Sequence, residues 1–526
     1  MRTARIFHTS IGFYAALAAL ATGCSGNSAS TGSGNSTGGD VSSGGGNGNG
    51  GVGLGGSALL GTGGAVQGGN SSKPTGGTSN AGGSTAAGAA ATGGITTGTG
   101  GTGASGQSCA VGGQGTAKFP FPQNRLAPNC IYPSAYSNCD VVAVYNAWKS
   151  DLVSSQGVGS NCTSCRRVIR PAEPGLQKNS TVSEGIGYGM IIAVYMNDQA
   201  LFDDLWRYEQ AHTWTWTATY PQTGTAATSL MNWYIASDGT VATTANGGQS
   251  GTGAATDADE DMAWALVMAD RQWGGQGSLS KTYLAYAQQL LADIWKYEID
   301  PTNLIPKNGG SWGGINCLNI SYFAPAYYRV FSSVGSQTGW ATVVTNLYTI
   351  ISQSLNATNG NQNNGLVPAF STSTGAPDQC GNSTNPNAST QPHTYQYDAC
   401  RTPFRIGIDA CFNDSTDAVG YVAKTSSFFS AQGGASKIVD GYQLNGTPNP
   451  QYPGGTYNGL SAAFIGTAGV GAMHKQSGQN YQSFLDDVYG LVRQNNLWCG
   501  GQYYDESWTM MSMLMMSGNF LDYTKY

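Results

Sequence analysis

Two stretches constrain the fold more than any others: Gly-Tyr-Gly-Met-Ile-Ile-Ala-Val-Tyr-Met at 187–196 and Trp-Thr-Met-Met-Ser-Met-Leu-Met-Met at 508–516. Both read as helices, and both are apolar nearly all round. A helix with no polar face has to be enclosed by other helices. Helical periodicity recurs along the chain at 141–153, 185–196, 200–212, 259–273, 279–298, 323–334, 338–355, 399–413, 418–431, 460–474, 480–493 and 503–517, with Gly, Asn or Pro at most ends. Amphipathic members such as Leu279–Glu298 suit an outer layer. Six enclosed and six outer helices imply an all-α fold, an (α/α)6 barrel or six-hairpin toroid. The Met run in 509–516 is read as core packing and not as a metal or cofactor feature.

The barrel does not need the whole chain of 526 residues. Residues 1–24 read as an export signal, with Arg2 and Arg5 ahead of a short apolar core from Ile11 to Ala21. That core is too short for a stable membrane span. It ends in Ala-Thr-Gly-Cys, which resembles a bacterial lipoprotein processing site and makes Cys24 the expected lipidation site. The expected location is therefore the outer membrane or cell surface; plain secretion is the alternative. Residues 25–107 are almost entirely Gly, Ser, Thr, Asn and Ala, without an aromatic. Such a segment cannot bury enough apolar area to offset its ordering entropy. It is expected to be a flexible tether with a reach of roughly 50 Å. Residues 108–526 then form one folded domain, expected to be a monomer.

That domain is acidic, with 20 basic and 28 acidic residues, and shows no basic stripe, so nucleic acid is a poor partner. Ten cysteines follow Cys24, enough for five disulfides in an oxidising compartment. Cys162 and Cys165 form a Cys-x-x-Cys, but no second such pair exists, and only His212, His393 and His474 lie beyond the signal. Structural disulfides are favoured over a metal site, and no cofactor is expected.

Only 10% of the residues are charged, yet four carboxylates crowd the start of one helix in Ala-Thr-Asp-Ala-Asp-Glu-Asp-Met-Ala at 255–263. Asp257 stands where a helix N-cap would, and its carboxylate could accept from the first helical amides. Asp259 and Glu260 are read as first-turn acids that favour the helix dipole. Glu184 precedes Gly185, Gly187 and Gly189 and then the apolar run Met190–Val194. It is expected at the edge of a dry environment that raises its pKa. Asp398 lies three residues ahead of Arg401, on one helical face if a helix begins there, and the cation is expected to keep it ionised. A helix cap for Glu184 and a structural Asp–Arg pair for Asp398 are the plainer readings. The long polar loops 213–256 and 356–397 run into Asp257 and Asp398, which favours loops that build one wall of a cleft.

The string Ala255-Thr-Asp-Ala-Asp-x-x-Met-Ala-x-Ala-Leu-Val-x-Ala-x-x-x-Trp273 resembles the signature of family 8 glycoside hydrolases, the endoglucanase, chitosanase and xylanase group. Ser183-Glu-Gly-x-Gly-Tyr-Gly-Met190, Leu230-Met-Asn-Trp233, Ser321-Tyr-Phe-x-Pro325 and Tyr397-Asp-Ala-x-Arg401 match in the same order. The resemblance implies an (α/α)6 barrel and an inverting mechanism. It makes Glu184 the general acid, Asp398 the general base, and Asp257 a partner of the distorted sugar. Tyr322, Tyr397 and Arg401 would bind substrate or position the water and the base. Trp233 and Trp312 would stack on sugars. Two departures, Ile186 in place of a common Gln and Ile320 in place of Pro, bear on substrate preference more than on mechanism. The expected function is an exported endo-β-1,4-glucanase acting on cellulose-type or mixed-linkage β-glucans. The alternatives are the same reaction on xylan or chitosan, a part in making cellulose, and a non-catalytic tethered carbohydrate-binding protein.

Overall fold

All twelve predicted helices form. In chain order they are α1 (Asn138–Leu152), α2 (Ser183–Tyr195), α3 (Gln199–Ala211), α4 (Thr256–Gln272), α5 (Tyr283–Tyr297) and α6 (Pro325–Val334). The second half adds α7 (Trp340–Ser354), α8 (Thr402–Asn413), α9 (Thr416–Ser430), α10 (Ala462–Gly471), α11 (Gln482–Val492) and α12 (Gln502–Met516). The computed structural model describes residues 109, 117–171, 177–218, 224–378, 380, 393–451, 459–476 and 480–526. The signal, Cys24 and the 25–107 tether lie outside the described residues.

The even-numbered helices close into a ring: α2 packs on α4, α4 on α6, α6 on α8, α8 on α10, α10 on α12, and α12 back on α2. Each odd-numbered helix backs an inner one: α1 on α12, α3 on α2, α5 on α4, α7 on α6, α9 on α8 and α10, α11 on α10. This is the expected (α/α)6 barrel. The sequence pattern follows from the geometry. An inner helix meets neighbours on both flanks and an outer helix behind, so no face is left to solvent. In α10 every residue is buried, and in α2 every residue but Glu184. Small residues let the inner backbones approach. A Cβ on Gly187 of α2 would lie 3.0 Å from the Asp261 Cβ and 3.1 Å from the Ala258 carbonyl of α4. On Gly466 of α10 it would lie 2.6 Å from the Ser512 hydroxyl of α12.

Three expectations need correction. Helix α5 starts at Tyr283, not 279, because the Thr282 side chain caps it by accepting from the Ala285 amide. The polar stretch 213–256 is not only loop. Thr213–Ala218 and Gly224–Met231 form an antiparallel hairpin, with Trp216 opposite Ala226, held to α5 where Asp293 accepts from the Ser229 amide and hydroxyl. The alternation in Thr-Trp-Thr-Trp-Thr carried that strand signal. Nor do all ten cysteines after Cys24 pair. Among the described residues Cys109–Cys139, Cys130–Cys411, Cys162–Cys165 and Cys317–Cys380 are bonded and Cys499 is also held in a disulfide, whereas Cys400 is a buried thiol that donates to the Tyr397 carbonyl at 3.3 Å. Among the described residues no helix is long and apolar enough to cross a membrane.

The close approach of α2 and α4 makes a direct prediction. Gly187→Leu should overpack that crossing and destabilise the domain by about 1–3 kcal/mol or more, read as a lower urea midpoint. An unchanged midpoint would show that the two helices are not packed backbone to backbone.

Candidate active site

The polar residues of interest gather at the N-terminal ends of the inner helices, where unpaired amides leave partial positive charge. Glu184 is the second residue of α2, Asp257 of α4 and Tyr503 of α12. Tyr322 lies just before α6, and Arg401 is the residue on which α8 begins. The loops between these ends are stitched by backbone bonds. Ser183 N–H donates to the Trp233 carbonyl at 2.9 Å, and Trp233 N–H to the Gly253 carbonyl at 2.7 Å. Thr256 N–H donates to the Asn308 carbonyl at 3.1 Å, and Asn319 N–H to Asn308 Oδ1 at 2.6 Å. Asn319 Nδ2 then reaches Asp398 Oδ1 at 3.2 Å. Segments more than 200 residues apart in sequence thus become one rim.

Arg401 is the centre of that rim. Its Nη1 donates to Glu184 Oε2 at 2.5 Å and to Asp257 Oδ2 at 2.9 Å. Its Nη2 lies 3.5 Å from Asp398 Oδ1. Nε donates to the Ser321 hydroxyl at 3.0 Å, and the guanidinium lies 4.9 Å from the centre of the Tyr322 ring. One buried cation therefore gathers all three acids singled out in the sequence. They are not equally enclosed: the Glu184 side chain is 18% exposed, against 3% for Asp257 and 2% for Asp398. Glu184 is the most accessible of the three, and its Oε1 accepts from the Tyr503 hydroxyl at 2.8 Å.

The structure corrects two local readings here. Asp257 is not a helix cap; Ala255 occupies that position without a side-chain cap bond, and the Asp257 carboxylate turns to Arg401. Burial pushes the Asp257 carboxyl up to about 7, with Arg401 opposing and Glu184 adding to the rise. Asp398 sits ahead of α8, in a turn, not on its first helical face. Arg401 does not hold it low: burial outweighs the cation and the donors Gln396 and Asn319, and its pKa is raised.

The other acids of the 255–263 stretch lie at the start of α4, Asp259 in its first turn as expected, and all three are buried. Asp259 accepts from the Met231 amide at 3.2 Å, and Glu260 from the Tyr328 hydroxyl at 2.5 Å. Asp261 takes a two-pronged pair from Arg405, with Nη2 at 2.8 Å. They tie α4 to the hairpin, to α6 and to α8, and burial raises all three. Glu209 on α3 and Asp505 on α12 are likewise buried, each pushed up to about 8 by desolvation.

Of the expected sugar-stacking residues, Trp233 and Trp312 are half-buried. Trp233 Nε1 donates to the Ser250 carbonyl at 3.1 Å, and the Trp312 indole lies over Gly309, where a Cβ would fall 2.4 Å from Nε1. Tyr322 is buried under Arg401. Tyr397 stands further back: its hydroxyl donates to Asp440 at 3.1 Å and its ring meets Phe464 and Tyr504 edge-on. Sequence reasoning missed Tyr503, Asn319, Ser321 and Gln396 as partners of the acids. Asn319 and Ser321 flank a motif position already noted, and Gln396 is two residues from Asp398; Tyr503 carried no signal. Among the described residues no three His, Cys, Asp or Glu side chains are placed to hold a metal ion.

Comparison with known proteins agrees with this fold. The family model described as glycosyl hydrolases family 8 matches residues 119–518. Endoglucanase A of Acetivibrio thermocellus is 32% identical over 413 residues, covering 78% of this chain and 75% of that protein. Beta-glucanase of Niallia circulans is 29% identical over 430 residues, 77% of this chain and 91% of that one. The apo structure of a beta-1,3-1,4-glucanase from Paenibacillus sp. X4 superimposes with a TM-score of 0.62 at 29% identity, covering 77% of this chain and 99% of that one.

The buried acids set how stability varies with pH. A carboxyl raised in the folded state keeps a proton that the unfolded chain has already lost, so stability falls as pH climbs between the two values. For Glu209 that window runs from its ordinary 4.5 to about 8. Unfolding free energy should therefore decline from pH 5 to pH 8, by up to about 1.4 kcal/mol per pH unit per such group. Glu209→Gln should flatten the decline in urea titrations. An unchanged slope would mean that Glu209 is charged within the fold.

Proposed function

The chain belongs to family 8 of the glycosyl hydrolases, and we propose that it is an exported, inverting endo-β-1,4-glucanase acting on cellulose-type or mixed-linkage β-glucans. The observation that carries the chemistry is the guanidinium of Arg401 with Glu184 on one terminal nitrogen and Asp398 on the other. Inverting hydrolases keep their two carboxyls roughly 6.5–9.5 Å apart to leave room for a water. Acids on opposite nitrogens of one guanidinium suit that spacing. The substrate class is supported by the names of the relatives, which are an endoglucanase, a beta-glucanase and a beta-1,3-1,4-glucanase.

In this reading Glu184, the most exposed of the three acids, protonates the glycosidic oxygen as the bond to the anomeric carbon breaks. A water attacks that carbon from the opposite face, and Asp398 accepts its proton. Asp257 keeps its own proton up to about pH 7. The two carboxyls that share Nη1 therefore need not both be charged, and Asp257 can donate a hydrogen bond to the sugar at the cleavage point. Tyr322 and Arg401 fix the base side, with Tyr397 behind them. Trp233 and Trp312 offer broad apolar faces to the C–H faces of β-linked sugars.

Export is supported by Arg2, Arg5 and the apolar run Ile11–Ala21, and by the disulfides among the described residues, which suit an oxidising compartment. Lipidation of Cys24 and a Gly-rich tether over 25–107 would hold the enzyme at an outer surface, where a monomeric barrel can reach polymer.

Two measurements test the reading. Glu184→Gln and Asp398→Asn should each lower turnover on barley β-glucan by about a hundredfold or more while the protein still binds glucan; full activity in either variant would reject the assignment. Cys24→Ser should move the protein from the membrane fraction to the soluble fraction, and an unchanged distribution would reject the anchor.

A further inference from the structure

A general base has to present one carboxylate orientation to the water, and it has to give up its proton before it can act. Asp398 is 1% exposed, so the protein and not solvent must meet both needs. Two buried amides do so. Gln396 Nε2 donates to Asp398 Oδ2 at 3.2 Å, while Gln396 Oε1 accepts the Asp398 backbone N–H at 2.9 Å. Asn319 Nδ2 donates to Asp398 Oδ1 at 3.2 Å. The Asn319 Oδ1 accepts from the Ser321 N–H at 3.0 Å and its hydroxyl at 2.8 Å. Ser321 Oγ in turn accepts from Arg401 Nε at 3.0 Å. The acceptor end of each amide is thus claimed by an N–H, which leaves only its NH2 end to face the carboxylate.

We propose that Asn319 and Gln396 are positioning residues for hydrolysis: they clamp the two oxygens of Asp398 from opposite sides and keep the carboxylate ready to take the proton of the attacking water. This rests on the reading of Asp398 as the base. The charged and titratable groups facing Asp398 are Arg401, Glu184, Tyr322 and Cys400. Burial raises the Asp398 carboxyl and Glu184 adds to the rise, while Arg401, Gln396 and Asn319 oppose it. Loss of either amide donor leaves Arg401 to oppose burial with one helper fewer. Asp398 then keeps its proton to higher pH, and a protonated carboxyl cannot accept another from water.

The test is the pH profile of kcat on barley β-glucan for Gln396→Met, Gln396→Glu and Asn319→Asp. The Met variant removes the donor without adding charge. The two acid variants retain the acceptor that holds the Asp398 amide or Ser321. In each, kcat at pH 5 should fall about tenfold or more and the acidic limb should move up by about one pH unit, with KM and glucan affinity within about twofold of wild type. A wild-type limb in folded variants would overturn the proposal, as would a loss carried by KM and affinity alone. Variants at two positions mean that misfolding of one leaves the other to decide. Asp398→Asn is run in parallel. If it stays active, the base assignment itself has failed; if it is inactive while the amide variants keep the wild-type limb, only the present inference fails.

Discussion

The site depends on one buried cation. Three carboxyls at the ends of three inner helices would repel each other in a low-dielectric pocket and drive each other to the neutral state. Arg401 lets them be gathered, and it does so asymmetrically: Glu184 and Asp257 share one nitrogen, and Asp398 faces the other. The guanidinium is planar and forked, so it fixes directions as well as charge. Removing it would leave buried acids uncompensated, the situation in which breaking a buried ion pair costs most, about 3–5 kcal/mol. Placement of the cation at the start of α8, three residues after Asp398, means that one turn of chain positions both Asp398 and the group that organises the acids.

The barrel supplies what that turn needs. Inner helices keep no solvent face, so groups open to solvent are confined to their ends. A second tier of buried acids lies behind the first: Asp261 paired with Arg405, Glu260 with Tyr328, Asp259 on the Met231 amide. These bonds run from α4 to α8, α6 and the hairpin, so they set the spacing between the helices that carry Asp257 and Arg401. Rigidity of the first tier is inherited from the second.

The helices were legible because twelve apolar periodicities survive in a chain with few charges. The three acids on Arg401 were legible from their contexts: Glu184 ahead of Gly185 and an apolar run, Asp257 in a crowd of carboxylates, Asp398 three residues ahead of Arg401. What stayed hidden depends on contacts across long separations. Nothing near Tyr503 announces a bond to a carboxylate 319 residues away. Asn319 is invisible as a partner of Asp398 until the fold brings the two loops together. Reasoning from neighbours alone also misjudged electrostatics. Arg401 beside Asp398 suggested an ionised carboxylate held by its cation, but burial is the larger effect and raises its pKa. Cys400 stays out of the bridges, its buried thiol donating to the Tyr397 carbonyl.

The central claim is that acid and base stand on opposite sides of the guanidinium with space for water between them. Proton NMR of the anomeric region, recorded in the first minutes of barley β-glucan digestion, tests it most directly. The account predicts that the newly formed reducing ends appear as the α-anomer and then drift to the equilibrium mixture. New ends that appear first as the β-anomer would contradict it.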